Sequence, residues 1–182
     1  PEELDPTSVR ILDAAFDAFV VDGFAGTSAD QIAAGAAASK QTIYKRFGDK
    51  TGLYRTLVNH VLETARARIV ETDVTDVDSA EDAVRRLARG LADTILTPRV
   101  QQLRRLIIAE ATRFPDIGRD YYEGAFLVTL GALSRVLDGL VERGLLDIDD
   151  TVAAANHLAG LTLWLPTNSI MMTGRIDSIT RA

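Results

Sequence analysis

The residues best suited to chemistry fall in one short stretch, Ser39-Lys40-Gln41-Thr42-Ile43-Tyr44-Lys45-Arg46-Phe47-Gly48-Asp49-Lys50. Hydroxyls, an amide and basic groups surround two apolar residues four apart, Ile43 and Phe47. On a helix that spacing turns Ile43 and Phe47 toward a core and leaves Tyr44 and Lys45 facing out. Ser39 suits the N-cap of such a helix. Its first turn then presents Lys40, Gln41 and Thr42 beside backbone N–H groups that favour a phosphate. These groups can read base edges or hold a nucleic-acid backbone. The four cations of the stretch face one carboxylate, Asp49, and so leave +3 inside a chain of net charge −6. A small basic patch sits on an acidic body, and for binding the distribution matters more than the sum.

Other chemistries find little support. The 182 residues include no Cys, which excludes disulfides and thiolate metal sites. His60 and His157 match no ligand spacing, so no metal is expected. No nucleophile motif and no Gly-rich phosphate loop is visible, so neither catalytic residues nor a cofactor are expected. With 47% hydrophobic and 25% charged residues the chain can bury a core, which excludes dominant disorder. No apolar run approaches the roughly 18 residues of a membrane span, and no membrane partner is expected. The acidic start lacks the apolar segment of a secretory signal, and the expected location is the cytoplasm.

The elements that must hold the basic patch read as helices throughout. A first helix over about Ser8 to Asp22 carries the stripe Val9, Leu12, Phe16, Phe19 and Val20, with Thr7 or Ser8 as its cap and Gly23 after its end. A short second helix opens at Ser28, with Gln31 at capping-box spacing. The third is the polar helix from Ser39, and the fourth starts at Asp49 with Leu53, Leu57 and Val61 on one face. Two short helices over an apolar first one make a three-helix helix-turn-helix unit: one braces, the next enters the major groove. The acidic, β-branched stretch 71–79 reads as a loop beside a domain boundary. The expected domains are therefore a DNA-binding unit over 1–50, a linking helix over 49–69 and a helical domain over 70–182.

Four helical patterns follow. Ala83, Leu87 and Leu91 mark the first of them, and Pro98 opens the second, which Pro115 ends. The third runs from about Ile117 to Arg143, with Phe126, Leu130, Leu133, Leu137 and Leu140 as its stripe and Gly144 as its stop. The last begins at Asp149-Asp150-Thr151, and Pro166 is expected to kink or end it. Apolar on more than one face and rich in small residues, it suits a symmetric homodimer.

The segments Thr27-Ser28-Ala29-Asp30-Gln31-Ile32-Ala33 and Ser39-Lys40-Gln41-Thr42-Ile43-Tyr44-Lys45-Arg46-Phe47-Gly48-Asp49-Lys50-Thr51-Gly52-Leu53 closely resemble the TetR-type transcriptional regulators. More loosely, Ala109-Glu110-Ala111-Thr112-Arg113-Phe114-Pro115 and the long helix after it resemble the ligand-binding half of the AcrR/AefR-like subgroup. The resemblance implies an all-α homodimer, a helix-turn-helix domain followed by a helical ligand-binding and dimerisation domain. It would act as a repressor on a palindromic double-stranded operator, released by a small apolar or amphipathic effector. Carried over by position, Thr42 and Lys45 would approach base edges. Tyr44 and Lys50 would bind phosphates, Thr27 and Ser28 would anchor the second helix to the backbone, and Ser39, Lys40 and Gln41 complete the contact set. Leu103, Ile107, Phe126, Leu130, His157 and Trp164 are expected near the effector. His157 also reads as a hydrogen-bonded core histidine, and Trp164 as core or dimer surface. The family often places Gly-Val before the third helix, where this chain has Ala37-Ala38; a left-handed residue there without Gly costs roughly 1–2 kcal/mol. Asp177-Ser178 resembles the cap of one more helix. The alternative function is a helical protein-interaction module that keeps the fold without binding DNA.

Overall fold

The computed structural model describes residues 4–70 and 74–175, the side chains of 64–70 excepted. Nine α-helices and one π-helical turn account for the described regular structure. They are α1 (Pro6–Gly26), α2 (Ala29–Gly35), α3 (Lys40–Phe47), α4 (Lys50–Val70), α5 (Ala80–Ile95), α6 (Pro98–Glu110), α7 (Pro115–Tyr121), the turn Tyr122–Leu127, α8 (Val128–Glu142) and α9 (Thr151–Thr173). Asp177-Ser178 lies outside the described residues.

The helix starts are set by side-chain oxygens that take up N–H groups left without intrahelical partners. Ser28 accepts from Gln31 N–H at 3.1 Å, Ser39 from Thr42 N–H at 3.0 Å, Ser79 from Asp82 N–H at 3.2 Å and Asp150 from Ala153 N–H at 2.9 Å. At α1 the cap is Asp5 rather than Thr7 or Ser8: its carboxylate accepts from both of their N–H groups, and Pro6 fills the first helical position. Gly23 does not end α1 either. It adopts φ 69° and ψ 172°, a conformation close to Gly-only, and helix continues to Gly26 beyond this kink.

The chain divides into two compact units. One comprises Pro1–Val61 and Gln102–Gly118, the other Leu62–Gln101 and Arg119–Ala182. The first therefore includes most of α6, which the boundary expected near residue 70 does not anticipate. Its core is aliphatic and aromatic: Ile11, Leu12, Phe19, Ile32, Ile43, Leu53, Tyr54, Leu57 and Leu103 are all essentially inaccessible. Helices α1 and α4 supply six of these nine, four of them (Leu12, Phe19, Leu53 and Leu57) on the expected stripes, whereas Val9 and Val20 are only half-buried.

In the second unit Val77, Ala83, Leu87, Leu91, Leu133, Leu137, Leu140 and Ala155 form one apolar cluster. Arg143 ties the loop before α5 to the end of α8, donating to the carbonyls of Val74 and Val77 at 2.7 and 2.8 Å. The long helix expected from Ile117 is broken in register by the π-helical turn. Phe126 is exposed in consequence, whereas Leu133, Leu137 and Leu140 stay buried. The extra residue of a π turn rotates what precedes it off the stripe. The helical run Pro115–Glu142 is long and apolar enough by composition to cross a membrane, which the expectation of no such run does not anticipate. Three of its leucines, Leu133, Leu137 and Leu140, pack in the cluster with α5 and α9. Pro166 does not end α9: the helix continues to Thr173 and closes at Gly174, φ 71°, although the proline has no N–H for its own turn.

Candidate nucleic-acid interface

The basic stretch folds as the sequence dictates. Ile43 is 1% exposed and anchors α3, Phe47 is half-buried, and Tyr44 and Lys45 face solvent. α2 packs on α1 and α3 on α2. The turn between α2 and α3 closes with Ala38 N–H on the Ala33 carbonyl at 3.0 Å and Ala37 N–H on that of Ala34 at 3.3 Å. This is a helix-ending turn that places Ala37 in the left-handed region, φ 47°, where Gly is usual. The chain thus keeps the turn geometry and bears the strain at an alanine.

At the far end of α3, Gly48 stops the helix and Asp49 restarts the chain, accepting from Gly52 N–H at 2.7 Å. A Cβ on Gly52 would overlap the Phe47 carbonyl oxygen, so only glycine lets α4 begin this close to α3. Arg46 reaches back to the start of α1, where its guanidinium pairs with Asp5 and donates to Ser8 Oγ at 2.9 Å. The Ser8 hydroxyl above all, with the Ser8 and Thr7 N–H groups and Arg46 adding to it, holds the Asp5 carboxyl below its ordinary range against the opposing effect of desolvation.

The nine residues expected to touch DNA all lie in this unit, but not with equal roles. Lys40, Gln41, Tyr44, Lys45, Ser28 and Ser39 are exposed, and Thr42 is half-buried. Ser39 Oγ and Thr42 Oγ1 are 2.8 Å apart and bond one another. Among the described residues, Lys45 has no hydrogen-bonding or ion-pair partner, so its charge is free for a phosphate or a base edge. Lys40 is paired with Asp30 of α2 at 2.9 Å, and that hydrogen bond raises the lysine's pKa.

Two of the nine also brace the scaffold in the free chain. Thr27 is 2% exposed, and its hydroxyl donates to the Gly23 carbonyl at 2.8 Å. It closes the kinked end of α1. Lys50 donates from Nζ to the Phe24 and Thr27 carbonyls, both at 2.8 Å, and sits 4.6 Å from the Phe24 ring centroid. The ammonium neutralises carbonyls left open where α1 ends and pins that end to α4. The sequence shows the polarity of both residues but not these scaffold bonds. The missed positioning residue is Arg46, whose signal was its place on a polar helix beside an α1 that begins with an acidic cap.

Under this surface lies an aromatic cluster. Phe24 packs on Phe19, Tyr54 and Phe114, with centroids at 5.6, 5.4 and 4.6 Å. Arg113 stacks over Phe24 and Phe114. The Tyr54 hydroxyl is buried without a partner, and burial, followed by the charge of Glu110, pushes its pKa far up. The Gly23–Phe24 kink thus has a packing reason: it swings Phe24 onto α4 and the α6–α7 segment.

The six residues expected near an effector divide between the two units. Leu103 and Ile107 are buried in the first unit. In the second, Leu130 is half-buried and Phe126 is 37% exposed, packed on Tyr121 and stacked with Tyr122. His157 is exposed, which excludes the core-histidine reading, and Trp164 is 72% exposed on α9. Around it Leu161 and Leu165 are 86% and 74% exposed, an apolar strip with no cover within one chain.

Comparison with known proteins gives this arrangement a context. The family model for bacterial regulatory proteins of the tetR family matches residues 11–57, and that for the C-terminal domain of AefR-like transcriptional repressors matches 82–181. A structure described as a TetR-family transcriptional regulator from Mesorhizobium loti is 38% identical, covers 92% of this chain and 84% of its own, and superposes with a TM-score of 0.85. The flavonoid-responsive regulator FrrA is 27% identical over 91% of this chain and 84% of its own, TM-score 0.74. GusR from Salmonella enterica, at 22% identity over 98% and 90%, TM-score 0.73, shares the fold. No curated protein matches the chain at a significant level. With its helix-turn-helix headpiece and its AefR-like C-terminal domain, the chain belongs to the TetR family of transcriptional regulators.

Proposed function

We propose that this regulator docks α3 in the major groove of a palindromic operator as a homodimer, and that a small apolar or amphipathic effector releases it. The observation that carries the reading is the first face of α3: Lys40, Gln41, Tyr44 and Lys45 are exposed on a helix whose opposite side is fixed by buried Ile43. Lys45, Gln41 and Thr42 approach base edges. Lys40, Tyr44 and the Ser28 end of α2 contact phosphates, with the Ser39 cap setting the helix start. The exposed Leu161-Trp164-Leu165 strip of α9 takes a second copy of the chain, which supplies the second headpiece that two half-sites require. That FrrA is named for a response to flavonoids supports an amphipathic, ring-bearing effector here. Phe126 and Leu130 are its proposed contacts in the AefR-like domain. The protein would act in the cytoplasm, where its operator lies.

Release follows from population shift: the effector must bind the non-DNA conformation better, and it can move the equilibrium only by that difference. The test is fluorescence anisotropy with a labelled duplex from the DNA flanking its own gene, beside a scrambled duplex, at two salt concentrations. Tight, sequence-selective binding that weakens steeply with salt is expected. No binding to either duplex at low salt would sink the reading and favour the interaction module.

A further inference from the structure

We propose that Asp30 is a built-in competitor for DNA phosphate, holding Lys40 in the free headpiece so that each encounter with DNA must first break their ion pair. The inference rests on Lys40 being a DNA contact. The four cations of the patch are held in different ways. Lys50 is bound to backbone carbonyls, and Arg46 to the carboxylate and hydroxyl that start α1; both holds are part of the fold. Lys45 is held by nothing among the described residues. Lys40 alone is tied to an exposed carboxylate in the first turn of a neighbouring helix, one that neither caps that helix nor bonds another side chain among the described residues. The α2 cap is Ser28, not Asp30, and the neighbouring Gln31 amide donates to Asp22 at 2.6 Å instead.

The pair is also open to exchange. The side chains of Lys40 and Asp30 are 47% and 73% exposed, and the contact at 2.9 Å spans the turn between the two helices that would meet the duplex. A phosphate oxygen offers the same geometry and charge as the carboxylate it would displace. An exposed pair of this kind is weak enough to yield to a polyanion, yet it reduces affinity for every duplex alike. Phosphate contacts carry no sequence information, so the effect falls on random DNA as much as on an operator. Sequence-independent binding is almost wholly electrostatic, and Asp30 would therefore limit occupancy of the many non-operator sites.

The experiment uses the full chain and a labelled duplex of random sequence, titrated from low to physiological salt. Asp30→Asn, Lys40→Gln and the double variant form a cycle, with Asp30→Ser as a second neutral replacement and circular dichroism as the check on folding. Asp30→Asn should tighten binding by about two- to fivefold per headpiece at low salt, the scale of an exposed ion pair. The gain should fade as salt screens the pair and vanish in the Lys40→Gln background. An equal gain in both backgrounds would mean that the carboxylate simply repels DNA, and would overturn the competition. No gain from Asp30→Asn, with Lys40→Gln still weakening binding, would overturn it while leaving Lys40 as a contact. If Lys40→Gln itself changes nothing, the assignment of Lys40 falls and this proposal with it.

Discussion

The eight residues of α3 and the twenty-three of α9 mark two surfaces in opposite ways. On α3 buried Ile43 and half-buried Phe47 anchor a helix whose polar groups are in part committed: Thr42 to the Ser39 cap, Lys40 to Asp30, Arg46 to Asp5 and Ser8. On α9, beside the exposed polar residues Asn156, His157 and Thr173, an apolar strip stands open to water, with Leu161, Trp164 and Leu165 at 86%, 72% and 74% exposed. A surface built for a polyanion must hold its charges in place without spending them. One built for a second copy must instead withhold apolar area from its own core. The headpiece therefore shows its function in hydrogen bonds, and the C-terminal unit shows its own in what it leaves uncovered.

The largest effect should come from turning the second surface into the first kind. Trp164→Glu places a charge at the centre of the apolar strip, and truncating a buried aromatic anchor alone costs about 2–4 kcal/mol of association. The variant should sediment as a monomer in analytical ultracentrifugation. Its operator affinity should fall by about two orders of magnitude or more, since one headpiece loses the gain of linked binding. A variant that stays dimeric would assign this face to something else. Lys45→Ala tests the polar surface. Loss of the one unheld cation on α3 should cost about 1–3 kcal/mol of operator binding and relax preference at one position of each half-site. Unchanged affinity would remove Lys45 from the interface.

How much of each surface was legible in the sequence follows from the same contrast. Helix starts depend on local residue type, and Ser28, Ser39, Ser79, Asp49 and Asp150 all cap where their spacing places them. Stripes in regular helices were equally plain, as Leu53, Leu57 and Val61 show. What failed depended on geometry that composition does not encode. The π-helical turn shifts Phe126 off its stripe, and Gly23 kinks α1 rather than ending it. Pro166 is carried within α9. The scaffold bonds of Thr27 and Lys50 were equally invisible, because their partners are carbonyls distant in sequence or at a kink. The segment 102–118 joins the headpiece unit through side chains such as Phe114, whose aromatic partners lie some sixty to ninety residues away in sequence.

A smaller effect is expected where the headpiece carries strain. Ala37 holds the left-handed conformation that closes the α2–α3 turn, at roughly 1–2 kcal/mol for a residue with a Cβ. Ala37→Gly removes that strain but adds unfolded-state entropy worth about 0.4–1 kcal/mol. The net should be a stabilisation of about 0.5–1 kcal/mol, seen as a rise of about 2 °C in Tm. A drop in Tm would mean that the turn has relaxed around the alanine. DNA affinity should hold, because no contact of α3 changes.

The smallest effect concerns the one polar atom of the headpiece core that the hydrogen-bond network leaves out. Tyr54 is fully buried, its ring edge-on to Phe19 at 5.6 Å, and its hydroxyl meets no donor or acceptor of the protein. Burying a hydroxyl unpaired costs about 1–3 kcal/mol, while the ring contributes apolar packing that phenylalanine would keep. Tyr54→Phe should therefore leave thermal stability unchanged or raise it by up to about 1 kcal/mol, where an ordinary core tyrosine with a satisfied hydroxyl would lose that much. A clear loss of stability in thermal unfolding would show that the hydroxyl has a partner after all, with the Glu110 carboxylate, whose charge already acts on it, the first to test by Glu110→Gln. The comparison would then sharpen, because the headpiece core would hold no unpaired buried side-chain atom among the described residues, while the exposed apolar strip of α9 would still await a partner.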